Sequence, residues 1–174
     1  MMVQTVGDKK INALLVIPQG PFYARDSFGG KMEDEGGFRR LVENVLAMMH
    51  HEGIVKTEKI GRIIVSGHSG GYRPAAYVLA RGGLSDRVTD VFLFDAFYGE
   101  QDKFKEWLTS HRGTIHACYT DYLVQEHLDF QKMIFPLVGN RFQCTKTTVE
   151  HGDVVQAFFP AWLAELGPEW KLKQ

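Results

Sequence analysis

Five apolar, strand-like runs alternate with five amphipathic, helix-like segments, and this alternation limits the fold more than any other feature of the chain. The predicted strands are residues 11–18, 60–66, 88–94, 114–119 and 142–149. The predicted helices are residues 38–51, 72–81, 102–110, 126–138 and 154–166. Strands that alternate with helices favour a parallel sheet covered by helices on both faces. We therefore expect an α/β fold with three layers, α/β/α, and a mostly parallel sheet of about five strands.

The composition fits one soluble globular domain over residues 1–174, with the first ten or so residues as a disordered or accessory arm. The formal charge of −1 gives no electrostatic reason to expect nucleic acid or an anionic membrane as a partner. No apolar run is long enough to span a bilayer, and the N-terminal residues lack the apolar stretch of a signal peptide. Cys118 and Cys144 both lie in predicted strands, which favours buried free thiols and a cytoplasmic location.

Residues 67–71, Gly-His-Ser-Gly-Gly, lie between a predicted strand and a predicted helix. Gly-x-Ser-x-Gly in that setting is typical of a sharp turn that exposes a nucleophilic serine, here Ser69. Glycines flank such a serine because a Cβ atom would clash where strand and helix approach closely. The competing interpretation is a glycine-rich turn without chemistry.

Four chemically active side chains lie at or just past the ends of predicted strands: Ser69, Asp95, Asp121 and His151. Ligands of open parallel sheets gather at this edge. A serine hydroxyl becomes a good nucleophile when a histidine accepts its proton and a carboxylate orients that histidine. No histidines or cysteines are spaced like metal ligands, so we expect neither a metal nor a cofactor.

From residue 11 to the C terminus, the chain resembles the α/β-hydrolase superfamily, including its esterases and peptidase-like members. The resemblance depends on the Gly-His-Ser-Gly-Gly turn, on carboxylates after later strands and on His151 in the last loop. The chain order Ser, Asp, His is also that of the superfamily. The resemblance implies that Ser69 is the nucleophile, that His151 is the general base and then the acid, and that the Gly70 backbone N–H is an oxyanion donor.

The acid of the triad has two candidates. Most members of the superfamily carry it after the second strand beyond the serine turn, which corresponds to Asp121, and a minority carry it one strand earlier, which corresponds to Asp95. Asp95 follows a very apolar strand and would be buried, so it would need hydrogen bonds to stay charged. We favour Asp95, with Asp121 as the alternative.

The resemblance also implies a strand that this chain lacks. That strand normally precedes the segment equivalent to residues 11–18 and supplies the second oxyanion donor. Gln19 or Gly20 is a candidate substitute, and Tyr72 is a candidate residue of the pocket mouth. The apolar residues 13–17 would lie near an unpaired sheet edge, so we expect a homodimer.

Two functions remain open from the sequence. The first is a serine hydrolase that cleaves a small-molecule or peptide-like ester, thioester or amide through an acyl-enzyme on Ser69. The second is a weakly active or inactive hydrolase-like domain that binds a ligand or protein at the carboxyl edge of the sheet. The intact Ser, Asp and His favour the first.

Overall fold

The computed structural model describes residues 2–172 and has an α/β architecture. Its sheet has four strands, all parallel, in the order β1-β2-β3-β4. The strands are β1 (Ile63–His68), β2 (Val88–Phe94), β3 (Thr114–Tyr119) and β4 (Phe142–Lys146). The α-helices among the described residues are α1 (Met2–Asp8), α2 (Gly37–His51), α3 (Tyr72–Arg81), α4 (Gln101–Ser110), α5 (Val124–Val138) and α6 (Val154–Glu165).

Helices cover both faces of the sheet, and β2 shows why. Its side chains point alternately to opposite faces, and five of its seven residues are apolar and buried, including four in succession, as in strands covered on both sides. Val91 and Leu93 pack in one core with apolar residues of α3, α4 and α5. Phe92 and Phe94 pack in a second core with α6, against which α1 also lies. The two cores give a three-layer arrangement.

The predicted strand over residues 11–18 is wrong, and the sheet has four strands rather than five. Ile11 forms only an isolated antiparallel bridge with Lys171, and residues 12–20 are irregular. Residues 13–20 form no backbone hydrogen bond with any described residue. Apolar composition does not make a strand unless a neighbouring strand supplies the hydrogen-bonded ladder, and here β1 is left as the edge of the sheet.

The later elements agree closely with the sequence patterns. The helix over residues 72–81 and the strands over 88–94 and 114–119 have the predicted bounds. β1 begins three residues later than predicted and continues to His68, and β4 ends at Lys146 instead of residue 149. No helix within residues 2–172 combines the length and apolar character needed to cross a bilayer.

Candidate active site

The serine turn lies between β1 and α3 and has the predicted strand-turn-helix form. β1 ends at His68, a single 3-10 turn covers Ser69–Gly71, and α3 begins at Tyr72. Ser69 has a φ of 54°, in the left-handed region that residues with a Cβ rarely adopt. Its Oγ forms no hydrogen bond with any residue in the described part of the chain. The hydroxyl is therefore held at a strained turn and is available to a substrate.

Close approach within the turn explains two of its glycines. A Cβ on Gly67 would lie 2.6 Å from the carbonyl oxygen of Gly71, which is backbone and has no room to move aside. A Cβ on Gly70 would lie 2.5 Å from Ser27 Oγ. Gly71, in contrast, has nothing within 4 Å of a Cβ, so the clash expected there is absent.

Asp95 directly follows β2 and is almost completely buried, with 1 % of its surface exposed. The Thr120 N–H donates to its Oδ1, and the Thr120 hydroxyl donates to its Oδ2, each at 2.9 Å. Burial raises the pKa of Asp95, but the hydrogen bonds from Thr120 and His151 outweigh burial, and the pKa lies below its usual value. Asp95 is therefore a carboxylate at neutral pH.

His151 lies in the loop between β4 and α6 and is oriented by Asp95. Its Nδ1 is 2.6 Å from Asp95 Oδ2. Because an ionised carboxylate can only accept a hydrogen bond, Nδ1 carries a proton, and in the neutral imidazole Nε2 is then the nitrogen with the lone pair. The His151 side chain is 43 % exposed, and Nε2 forms no hydrogen bond with any described residue. This tautomer is the one that a general base requires.

His68, the residue before the serine, ties His151 to the serine turn. Its Nε2 donates to the backbone carbonyl of His151 at 2.9 Å, and the two imidazole rings lie 4.7 Å apart between centroids. No local pattern could have revealed the contact, because the two residues are 83 positions apart.

Asp121 has a different partner. Its carboxylate lies 2.7 Å from Lys146 Nζ, and its side chain is 83 % exposed. No hydrogen bond or ion pair joins it to His151 within the described residues. The structure therefore pairs His151 with Asp95, while Asp121 forms a surface ion pair.

Tyr72 and Tyr98 form an aromatic pair beside this cluster. Tyr72 opens α3, and its ring centroid is 5.9 Å from that of Tyr98. Burial, and then the charge of Asp95, raise the pKa of Tyr98. Sequence reasoning named Tyr72 but missed Tyr98, although Tyr98 follows the same strand end as Asp95.

Gln19 and Gly20 lie in the irregular segment and are exposed. The Gln19 side-chain amide donates only to the Gly20 carbonyl, at 3.3 Å. Both residues line a cavity that also reaches Gly67, His68 and Gly71. They are therefore brought to the region of the serine turn without being fixed against it.

A buried ion pair fixes the loop that lies over the turn, and sequence reasoning missed it. Glu33 is 3 % exposed and accepts a hydrogen bond from the Gly29 N–H at 2.6 Å. Arg73 of α3 donates from Nη2 to Glu33 at 3.1 Å and from Nη1 to Asp26 at 3.2 Å. Ser27, whose hydroxyl lies against Gly70, belongs to the same loop.

Residues 2–172 contain no group of three or more His, Cys, Asp or Glu side chains placed to hold a metal ion. Cys118 and Cys144 are free thiols, and burial raises the pKa of Cys118 to about 12, which makes it a poor nucleophile. Comparison with known proteins returned no matching family model, no matching curated protein and no matching solved structure.

Proposed function

We propose that the chain is a serine hydrolase of the α/β-hydrolase type, which cleaves an ester, thioester or amide through an acyl-enzyme on Ser69. One observation carries the proposal: the Asp95–His151 pair, joined at 2.6 Å, is tied by a hydrogen bond from His68 to the residue directly before a serine with left-handed backbone. A serine at a strained turn and an oriented histidine with a free Nε2 are the two parts that nucleophilic acyl transfer requires.

In the first half-reaction, His151 Nε2 accepts the proton of Ser69 Oγ as that oxygen bonds to the substrate carbonyl carbon. The carbonyl oxygen becomes an oxyanion, which the Gly70 N–H stabilises. The imidazolium then donates its proton to the leaving group as the bond to that group breaks. In the second half-reaction, His151 takes a proton from water as the water oxygen bonds to the acyl carbon. The bond between that carbon and Ser69 Oγ then breaks, and His151 returns the proton to Oγ. Asp95 stays ionised throughout and stabilises the imidazolium.

The surrounding residues have supporting roles in this proposal. Tyr72 and Tyr98 form an aromatic wall next to Asp95, suited to an apolar part of the substrate. Gln19 or Gly20 supplies the second oxyanion donor when substrate is bound. The free thiols at Cys118 and Cys144 fit a cytoplasmic enzyme.

A second candidate is a hydrolase-like domain that binds a ligand or protein and turns over slowly. It is favoured by the state of residues 13–20, whose backbone has no hydrogen bond to hold Gln19 or Gly20 at the turn. Loss of one oxyanion donor costs on the order of a hundred- to a thousandfold in rate. The intact Asp95–His151 pair favours the enzyme over this alternative.

A fluorophosphonate probe separates the two candidates. We expect the purified wild-type protein to be labelled and Ser69→Ala to remain unlabelled. Ser110→Ala is the matched control, since Ser110 is an exposed serine at the end of α4. A wild-type protein that stays unlabelled, while its circular dichroism shows it folded, would refute the hydrolase and favour the binding domain.

A further inference from the structure

A large cavity separates the free edge of β1 from the irregular residues 11–20. Its volume is about 760 Å³. Every residue of β1 lines it, from Ile63 to His68. Because successive side chains of a strand point to opposite faces of the sheet, a cavity that contacts all of them runs along the strand edge rather than over one face.

Helices of both outer layers close the cavity above and below. On one face it is lined by the apolar side of α2, including Phe38, Leu41 and Val45. On the other face it is lined by Phe159 and Leu163 of α6. The two helix layers therefore extend past β1, but the sheet between them does not.

Both side walls of the cavity carry unpaired backbone groups. β1 pairs only with β2, so the N–H and C=O groups on its other edge have no strand partner. The opposite wall is formed by residues 13–20, whose backbone makes no backbone–backbone hydrogen bond with the described residues. A molecule that donates and accepts at the spacing of a strand can satisfy both walls in place of water.

We propose that this cavity is the docking site for an extended apolar strand of a protein partner, which adds to the sheet beside β1. A strand residue fills roughly 160 Å³, from a rise of about 3.3 Å, a strand spacing of about 4.8 Å and a sheet spacing of about 10 Å. At about 760 Å³, the cavity therefore has room for a short strand beside the six residues of β1.

The lining also defines the sequence that fits. A strand in this position is covered by helices on both faces, so its side chains are apolar at successive positions, as in buried parallel strands. Direct pairing of β1 with β1 of a second copy does not fit, because that copy's own α2 and α6 flank its β1 edge in the same way. The cavity takes a single strand, and β-strand addition is an established mode of peptide recognition.

The site is distinct from the proposed acyl transfer but adjacent to it. Gly67 and His68, at the end of β1, line the cavity together with Gln19 and Gly20. The docked strand therefore ends beside the serine turn, and its binding does not require that Ser69 be reactive.

A pair of peptides tests the proposal. The first has five alternating valines and isoleucines flanked by lysines for solubility, and the second is the same peptide with N-methyl groups on alternate core residues. The second is at least as apolar as the first, but it lacks the N–H donors of its methylated residues. We expect the first to bind the full chain at least tenfold more tightly, and at saturation to raise Tm by about 5 °C. It should also slow hydrogen exchange of β1 amides.

Two variants on neighbouring positions of α2 locate the binding. Val45→Arg places a charge in the cavity lining, whereas Asn44→Arg places it on the exposed side of the same helix. We expect the first to abolish peptide binding and the second to leave it within twofold of wild type, with circular dichroism confirming that both variants fold.

Several results would overturn the proposal. Equal binding of the two peptides would mean that the cavity takes any apolar chain. Competition by decanoate, with no protection of β1 amides by the peptide, would identify an acyl ligand instead. A protein that sediments as a dimer, in which the peptide fails to bind, would identify a second copy as the occupant. Labelling of Ser69 is a separate measurement, so failure of this proposal does not affect the proposed hydrolase.

Discussion

The residues on the two sides of β1 differ in how many hydrogen bonds hold them in place. On the β2 side, the end of the strand meets Asp95, which is buried and held by Thr120 and His151. On the other side, residues 13–20 have no backbone hydrogen bonds, and Ile17 is 69 % exposed. The same strand therefore borders a residue held by several hydrogen bonds on one side and a segment without backbone–backbone hydrogen bonds on the other. The candidate nucleophile lies at the end of this strand. Orientation of the proposed base depends on the first side, and the proposed second oxyanion donor depends on the other.

Asp95→Asn is expected to have the largest effect, because it removes the carboxylate on the β2 side of β1. An amide in place of the carboxylate favours the wrong tautomer of His151 and no longer stabilises its charged form. We expect the rate of ester hydrolysis to fall on the order of a thousand- to ten-thousandfold, measured as kcat/KM. Asp121→Asn, the control, should stay within twofold of wild type. A comparable loss in the control would mean that the exposed carboxylate orients the base.

Phe92→Ala tests how much the β2 side of β1 contributes to the free energy of unfolding. The Phe92 ring is fully buried and lies 5.3 Å from the Trp162 ring of α6, between centroids. Its removal leaves a cavity, and we expect the free energy of unfolding to fall by about 3–5 kcal/mol in a urea titration. A fall of less than about 1 kcal/mol would show that the second core contributes little to stability.

His68→Ala should have an intermediate effect, since His68 connects the loop of His151 to the serine turn. Loss of the hydrogen bond to the His151 carbonyl lets the base move relative to Ser69, so we expect kcat to fall about tenfold with little change in KM. His68→Gln keeps a donor and should recover part of the loss. If neither variant differs from wild type, His68 has no positioning role.

Ile17→Ser should have the smallest effect. The side chain is exposed, and its segment forms no backbone ladder, so the free energy of unfolding should change by less than about 0.5 kcal/mol. Urea titration of this variant beside Phe92→Ala compares the two sides of β1 directly. A loss above about 2 kcal/mol would mean that the segment is already packed as tightly as the core.

Sequence patterns predicted most helices and strands, but they could not show which strand-like run has a partner strand. The strand over residues 88–94 is a nearly continuous apolar run, and its bounds were predicted correctly. The run at residues 13–17 has a similar composition but forms no strand, because pairing depends on a neighbour that sequence periodicity cannot show. The same limit applied to the site. Ser69 and His151 were predicted as site residues from motif and order, while the contacts of Thr120 and His68 were missed because their partners lie 25 and 83 positions away.

The strand order has a consequence for how the protein assembles during synthesis. Since β1 to β4 are adjacent in chain order and all parallel, right-handed crossovers place α3, α4 and α5 on the same face. Phe92 and Phe94 on the other face remain uncovered until α6 emerges from the ribosome. The loop that carries His151 directly precedes that helix. We therefore expect a nascent chain to gain its second core and the proposed general base in one late step, so that the proposed hydrolysis would report a finished fold.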